Sequence, residues 1–445
     1  MLTLLAFVVT LGVLVTIHEY GHYWVAKRCG VKVLTFSIGF GKPLVKWQRG
    51  DTTWQLALLP LGGYVRMLDE REAAVPAAEL ARAFNRQHPL KKMAVVVAGP
   101  VANLILACGL YWGLGAWGVD ALRPIASEIK PGSPAALAGM RSGDEILRVG
   151  EANIASWDRL FIALIDEAGG DGPVSVTVRR EGEGERIIAL PSVAVRDIDP
   201  QLLSRLGLSP VPMMLRVAQI VPGSAAAKAG MQLHDDLVAF NGVPLQSWSM
   251  FQSLVSAAAD QRVNITVRRG DKLVELAVTP ERTQVAGKPV GRLGVAPAVN
   301  EAAWEAQRFR LQYDLVDALG QGLDKAWTYA RITLVMFGRM LIGQAPLDQI
   351  SGPVTIAVYA GQSAEAGWTT YLDYLALISL SLAVLNLLPV PVLDGGHLLY
   401  HTAELLTGRP VPARVEEIGQ RIGLVLLLAL MALALFNDFN RFVPG

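Results

Sequence analysis

"TIHEYGHYW" (residues 16–24) closes an apolar run that begins at Leu2. A run of that length reads as a membrane-spanning helix, and ionisable groups inside one are costly unless they face a cavity, a partner or an ion. On an α-helix, positions i and i+4 lie about 40° past a full turn and about 6 Å apart along the axis, so His18 and His22 share a face. Two imidazoles so placed can hold one metal ion. Glu19, beside the first of them, can act on a water as general base without being a ligand, which is the logic of the H-E-x-x-H pattern. The bland alternative is an interfacial belt with Tyr20, Tyr23 and Trp24. Gly21 argues against it, because a glycine there admits close backbone approach.

Composition agrees with a membrane protein that carries soluble parts: 52% of the 445 residues are hydrophobic and mean hydropathy is +0.36. A formal net charge of +1 gives no reason to expect nucleic acid as a partner. Cys29 and Cys108 have no metal-type spacing and suggest no disulfide framework.

Apolar segments predict four spans, near residues 2–24, 93–118, 372–393 and 421–437, the last the shortest. The first has no basic residue before it and no small-residue cleavage pattern after it, so it reads as a retained span rather than a signal peptide. Between residues 27 and 92 lie twelve Lys or Arg against five Asp or Glu. The positive-inside rule places that loop in the cytoplasm and residues 119–371 on the outer side, the periplasm of a bacterium.

An internal repeat occupies the outer stretch: "PGSPAALAGMRSGDEILRVGEANIASW" (131–157) aligns without gaps on "PGSAAAKAGMQLHDDLVAFNGVPLQSW" (222–248), and "VTVRR" (176–180) answers "ITVRR" (265–269). Each copy predicts turn, short helix, Gly, buried strand, hairpin, helix and alternating strand. This resembles a pair of PDZ domains, which bind extended segments along a sheet edge. A role as spacer or steric screen is an equal alternative. Residues 301–345 mix aromatic and basic residues into apolar stretches and predict amphipathic interfacial helices.

A catalytic zinc usually takes three protein ligands and keeps an open position. His88, His234, His397, His401 and several carboxylates are candidates for the third ligand. Asp394 stands out within "NLLPVPVLDGGH" (386–397), where Pro389 and Pro391 break an apolar helix and free backbone groups that only protein or a wet cavity can satisfy. Asn386 offers a donor and an acceptor that could hold a substrate backbone or polarise a carbonyl; its structural alternative is a helix–helix hydrogen bond.

Taken together, "HEYGH", "GFGKPL" (39–44), "LGGYVRM" (61–67), "SGPVTIA" (351–357) and "NLLPVPVLDGG" (386–396) resemble the intramembrane site-2 protease family, in its bacterial tandem-PDZ, sigma-E-protease-like subgroup. The resemblance spans nearly the whole chain. It implies a multi-pass α-helical membrane protein with four transmembrane helices, a membrane-associated β-hairpin and two inserted PDZ-like domains. The segments would be 1–118, the PDZ-like 119–200 and 201–298, interfacial 299–371, and 372–445 with the last two spans. It further implies that His18, His22 and Asp394 bind one Zn2+, that Glu19 activates water, that Asn386 helps hold substrate, and that the hairpin around Gly62, Gly63 and Tyr64 pairs with unwound substrate. The implied substrates are single-pass proteins of the bacterial inner membrane, above all a pre-trimmed anti-sigma factor, with signal-peptide remnants a further class; membrane lipid is the other partner. A catalytically silent PDZ scaffold is the competing reading. A transporter would need more spans and inverted repeats.

Overall fold

In the computed structural model, residues 1–167, 170, 172–194, 202–285, 288–343 and 350–442 are described. They form two units, Met1–Val119 with Gln312–Gly445, and Asp120–Leu311.

The first unit is built on helix α1 (Leu2–Arg28) and helix α2 (Pro89–Trp117). Lys27 and Arg28 sit in the last turn of α1, where they complement the helix dipole. His88 caps α2 and Pro89 occupies its first position, while Gly118 at φ 92° ends it. The two helices pack closely because their contact is made of small residues: a Cβ on Gly21 would lie 2.3 Å from the Ala98 carbonyl oxygen and 2.8 Å from Ala102 Cβ.

Between α1 and α2 run two long strands, β1 (Val33–Arg49) and β2 (Thr52–Met67). Each bends, so that Phe36, Ser37 and Ile38 face Val65, Tyr64 and Gly63 on one side and Trp54, Gln55 and Leu56 on the other. The bend in β1 falls at Gly39 and Gly41, both at φ near 90°. Segment 63–67 is thereby an edge, with no further strand beside it among the described residues. Val33 is packed with Val31, Ala26 and Val95, and Val65, Met67 and Tyr23 lie against them, so the hairpin base is referenced to both helices.

Helix Leu315–Leu341 lies along α2. Gly322 meets the Trp112 backbone, and Ala326 packs with Ala107 and Tyr111 of α2 and Ala376 and Leu380 of the third span. Lys325 pairs with Asp373 at 2.6 Å and stands 4.9 Å over the Tyr111 ring. The interfacial segment predicted from sequence therefore contains a helix docked on α2.

Among the described residues, four helices are long and apolar enough to cross a membrane: Leu2–Arg28, Pro89–Trp117, Trp368–Asn386 and Ala413–Arg441. The third ends seven residues before the predicted limit of 393, because Pro389 and Pro391 stop it, and Asp394 opens a new helix, Asp394–Thr407, instead of closing the old one. The fourth, predicted as the shortest, is among the longest. Its Asp438, 2% exposed, accepts from the backbone N–H groups of Gly352, Val354 and Thr355 at 3.0, 2.9 and 3.2 Å and from Thr355 Oγ1 at 2.6 Å. "SGPVTIA" is thus the start of helix Pro353–Ala366, capped from another helix.

In the second unit the sequence repeat is a structural one. Ser133 and Ser224 cap the short helices Pro134–Leu137 and Ala225–Lys228; Ser156 and Ser247 cap Trp157–Asp166 and Trp248–Ala257. Strands Glu145–Val149, Val174–Arg180 and Gly184–Leu190 of the first copy are answered by Asp236–Phe240, Val263–Arg269 and Lys272–Val278 in the second. Asp144 and Asp235, each 1% exposed, bind Arg180 and Arg269, whose Nη2 groups donate both to the carboxylate and to the carbonyls of Gly139 and Gly230, the latter at 2.9 Å. Burial pushes the Asp235 carboxyl up, but the Arg269 guanidinium and the Gln232 N–H outweigh it and leave the group below the ordinary carboxylate range.

Replacing Arg269 with Met strands that carboxylate. Since Arg269 is 31% exposed, the loss should be on the order of 2–3 kcal/mol, below that of a fully buried pair. In the wild type the Asp235 contribution is present above the unfolded carboxylate pKa and lost as pH falls through the lower folded value. Denaturant melts of the protein at neutral pH and near pH 3 should show the Arg269→Met penalty shrinking with acid. For Asp438→Ala, three N–H groups and a hydroxyl lose their acceptor, and thermal unfolding in detergent should register a loss on the order of 2–4 kcal/mol.

Candidate active site

His18 and His22 project from the inward face of α1 and meet edge to face, with ring centroids 4.8 Å apart. Their Nε2 atoms are 3.2 Å from each other. Asp394 Oδ2 stands 3.1 Å from the first and 3.6 Å from the second. Three atoms from two distant parts of the chain form one nearly equilateral triangle.

The sides of that triangle are those of a metal site. A tetrahedral zinc with ligands at about 2.0–2.1 Å places them roughly 3.3–3.4 Å apart. Asp394 Oδ2 is buried and makes no hydrogen bond of acceptable geometry among the described residues, although both imidazoles are near. A carboxylate oxygen left so is expensive unless something else binds it. His18, His22 and Asp394 are also the group of ligand-type side chains whose donor atoms converge among the described residues.

Each imidazole is supported from α2. His22 Nδ1 lies 2.8 Å from the Val95 carbonyl oxygen, which fixes Nδ1 as the protonated nitrogen and frees Nε2. His18 Nδ1 faces the side chain of Asn103 at 3.4 Å. Between them, Gly99 leaves a bare stretch of helix: a Cβ there would come within 2.2 Å of His22 Nε2 and 2.8 Å of His18 Cε1. The rings rest on backbone because no side chain is in the way.

Asp394 is placed by the break that precedes it. Val392 is held at φ 85°, a strained conformation for a β-branched residue. Gly395 and Gly396 let the helix start against the chain's own backbone, since Cβ atoms there would meet the Leu388 carbonyl oxygen at 2.0 Å and that of Val390 at 2.5 Å. Helix Asp394–Thr407 is tied to α2 by Lys92 and Glu404, 2.9 Å apart and both largely buried. His401 packs beside them, and burial pushes its imidazole down to about 4, so that it is neutral at pH 7.

A cavity of about 700 Å³ opens on the triangle. Glu19 lines it with His18, His22 and Asp394; the hairpin edge from Gly63 to Met67 forms another wall, and His397, Tyr400, Glu416 and Gln420 are among the residues that line the rest. The hairpin reaches Glu19 directly, since a Cβ on Gly63 would be 3.0 Å from Glu19 Cγ. Tyr64, also on the wall, has its hydroxyl 3.1 Å from Gln55 Nε2.

Two of the sequence-predicted residues lie outside the cavity lining. Gly62, at φ 142°, sits where a Cβ would strike the Phe40 ring at 2.5 Å. Asn386 is the last residue of helix Trp368–Asn386, half-buried, and is absent from the cavity wall. Of the other candidate ligands, His88 caps α2, His397 and His401 line the cavity beyond the triangle, and His234 belongs to the second unit. Sequence reading missed Val95, Gly99 and Asn103. A signal was available in "AGPVANL" (98–104), where Gly and Asn interrupt an otherwise apolar span.

The model of peptidase family M50 matches residues 6–430. The chain is 41% identical over 447 residues to the regulator of sigma-E protease RseP of Salmonella typhimurium, and 40% identical over 446 residues to that of Escherichia coli, in each case over 98% of both chains. It is 42% identical over 445 residues, 99% of each chain, to a Neisseria meningitidis protein whose name provisionally designates it a zinc metalloprotease. The triangle of His18, His22 and Asp394 is therefore a feature of a chain that belongs to peptidase family M50, the site-2 proteases.

Proposed function

We propose that the chain is an intramembrane zinc endopeptidase of the bacterial inner membrane, acting in sigma-E regulation. The observation that carries this is the convergence of two imidazole nitrogens and one otherwise unbonded carboxylate oxygen at the wall of a cavity between apolar helices. In this reading His18, His22 and Asp394 hold one zinc. Zinc, when bound, supplies Lewis acidity that activates water and polarises a carbonyl.

The chain's own residues supply the rest. Glu19 takes the proton of the attacking water and delivers it to the leaving amine. A peptide bond inside a substrate helix is shielded by its own hydrogen bonds, so substrate must be extended first. The free edge at Gly63–Met67 offers replacement backbone partners along the cavity wall, with Gly62 and Tyr64 shaping the turn into it. Asn386, at the end of the third span, would engage the substrate as it unwinds, from outside the cavity described above. Substrates are single-pass membrane proteins, foremost an anti-sigma factor already trimmed on its outer side, with signal-peptide remnants as a second class.

The basic loop 27–92 would face the cytoplasm and the second unit the periplasm. There the two repeats, read as PDZ-like domains over 119–200 and 201–298, would exclude bulky ectodomains; segments 1–118, 299–371 and 372–445 would make up the membrane part.

Glu19→Gln keeps the three ligands and removes the base. With a purified single-span substrate bearing a short outer tail, the wild type should cleave and the variant should lose at least about 100-fold in rate while retaining equimolar zinc. Binding of substrate without cleavage by wild type and variant alike would favour the scaffold reading instead. Gly63→Ala crowds Ser37, Val15 and Glu19 at once, its Cβ falling 2.6, 2.9 and 3.0 Å from them. It should lower kcat about tenfold or more with zinc content unchanged, because a misplacement on the order of 1 Å is enough.

A further inference from the structure

Asn103 is 0% exposed, in the middle of α2, and its Oδ1 has no hydrogen-bond partner among the described residues. Its backbone carbonyl is already used, accepting from Ser379 Oγ at 2.8 Å and so tying α2 to the third span. The side chain is not needed for that contact. It is aimed instead at His18, its amide 3.4 Å from Nδ1.

The proton inventory decides what the amide does there. His18 turns Nε2 toward Asp394 and His22. An imidazole that ligates through Nε2 is neutral and carries its proton on Nδ1, so Nδ1 must donate. The amide NH2 cannot accept that proton; the amide oxygen can. The two ends of a carboxamide have the same shape and exchange by a half-turn, so the assignment follows the hydrogen-bond partners. Placing Oδ1 against His18 Nδ1–H uses the acceptor that is otherwise orphaned. His22 shows the same arrangement with a different acceptor, the Val95 carbonyl oxygen about two turns earlier on α2.

We infer that Asn103 is a positioning residue for the metal centre, its amide oxygen accepting His18 Nδ1–H and holding that ring in the tautomer and orientation in which Nε2 ligates. The inference rests on the reading of His18, His22 and Asp394 as zinc ligands. Outer partners of this kind typically govern metal affinity by 10–100-fold.

The test is zinc retention by full-length protein in detergent, titrated against a chelator of known affinity, for wild type, Asn103→Leu, Asn103→Asp and the packing control Ser379→Ala. Leu fills a similar volume without an acceptor, Asp restores the acceptor, and Ser379→Ala removes the interhelix hydrogen bond at the same level without touching the imidazole. Asn103→Leu should bind zinc 10–100-fold more weakly. Asn103→Asp should match the wild type or exceed it, and Ser379→Ala should match it. Equal affinity in Asn103→Leu and wild type overturns the inference. So does a loss in Ser379→Ala as large as that in Asn103→Leu, which would make the effect one of helix packing. If Asn103→Leu does not fold, weak binding by a folded Asn103→Asp overturns the inference by itself, and wild-type affinity supports it. Absence of zinc binding by the wild type would overturn the ligand reading on which the inference rests, an outcome distinct from the others.

Discussion

The site depends first on how near α1 and α2 can come. Gly21 and Gly99 remove the two Cβ atoms that would hold the helices apart, one facing the Ala98 carbonyl and the other facing the two imidazoles. In a bilayer there is little hydrophobic gain in bringing helices together, and close van der Waals contact between small residues takes its place. Only at that distance can His22 reach the Val95 carbonyl and His18 the side chain of Asn103. The same contact that packs the helices therefore orients the rings.

The third corner of the triangle is set by different means. Asp394 arrives through an irregular segment, with Val392 at a strained positive φ and two glycines pressed on their own backbone. Strain of this kind, of order 1–3 kcal/mol, persists only where the surroundings over-determine it. Gly423 of the fourth span packs against the Pro391 carbonyl, Gly419 against the Tyr400 hydroxyl, and Glu404 is bound to Lys92 of α2. The loop is held at both ends, and the carboxylate has little freedom to leave the imidazoles.

His18, Glu19, His22 and Asp394 were legible in the sequence because ionisable residues stand out against an apolar background and because i, i+4 spacing has one geometric meaning. The 91-residue offset of the repeat was legible for a similar reason: serine caps, Gly and buried Asp recur at the same positions in both copies. Asn103 and Gly99 also interrupt an apolar span, but that signal is ambiguous, since an amide and a glycine in a span read equally well as helix contacts. The end of the third span was misjudged because hydropathy continues through Leu387 to Leu393 after the prolines have stopped the helix. Asp438 shows the converse limit. A carboxylate near the end of an apolar helix looks terminal, and only the fold brings the start of helix Pro353–Ala366 to it.

In the proposed function the hairpin joins these parts to the substrate. Its inner segment, residues 35–38, is flanked on both sides by β2, and its base is packed into the cluster that contains Tyr23 of α1 and Val95 of α2. Segment 63–67 is thus a rigid edge whose position is set by the helices that set the imidazoles. In the proposed function, an extended chain paired with that edge would run along the cavity wall that Glu19 and the triangle share. The polar rim reinforces this: Arg71, which follows β2, is bound to Asp69 at 2.8 Å and to Glu416 of the fourth span at 3.2 Å. Edge, Glu19 and the triangle are then parts of one frame, and in the proposed function a substrate strand that fits the edge would be delivered to the chemistry by the same contacts that hold it.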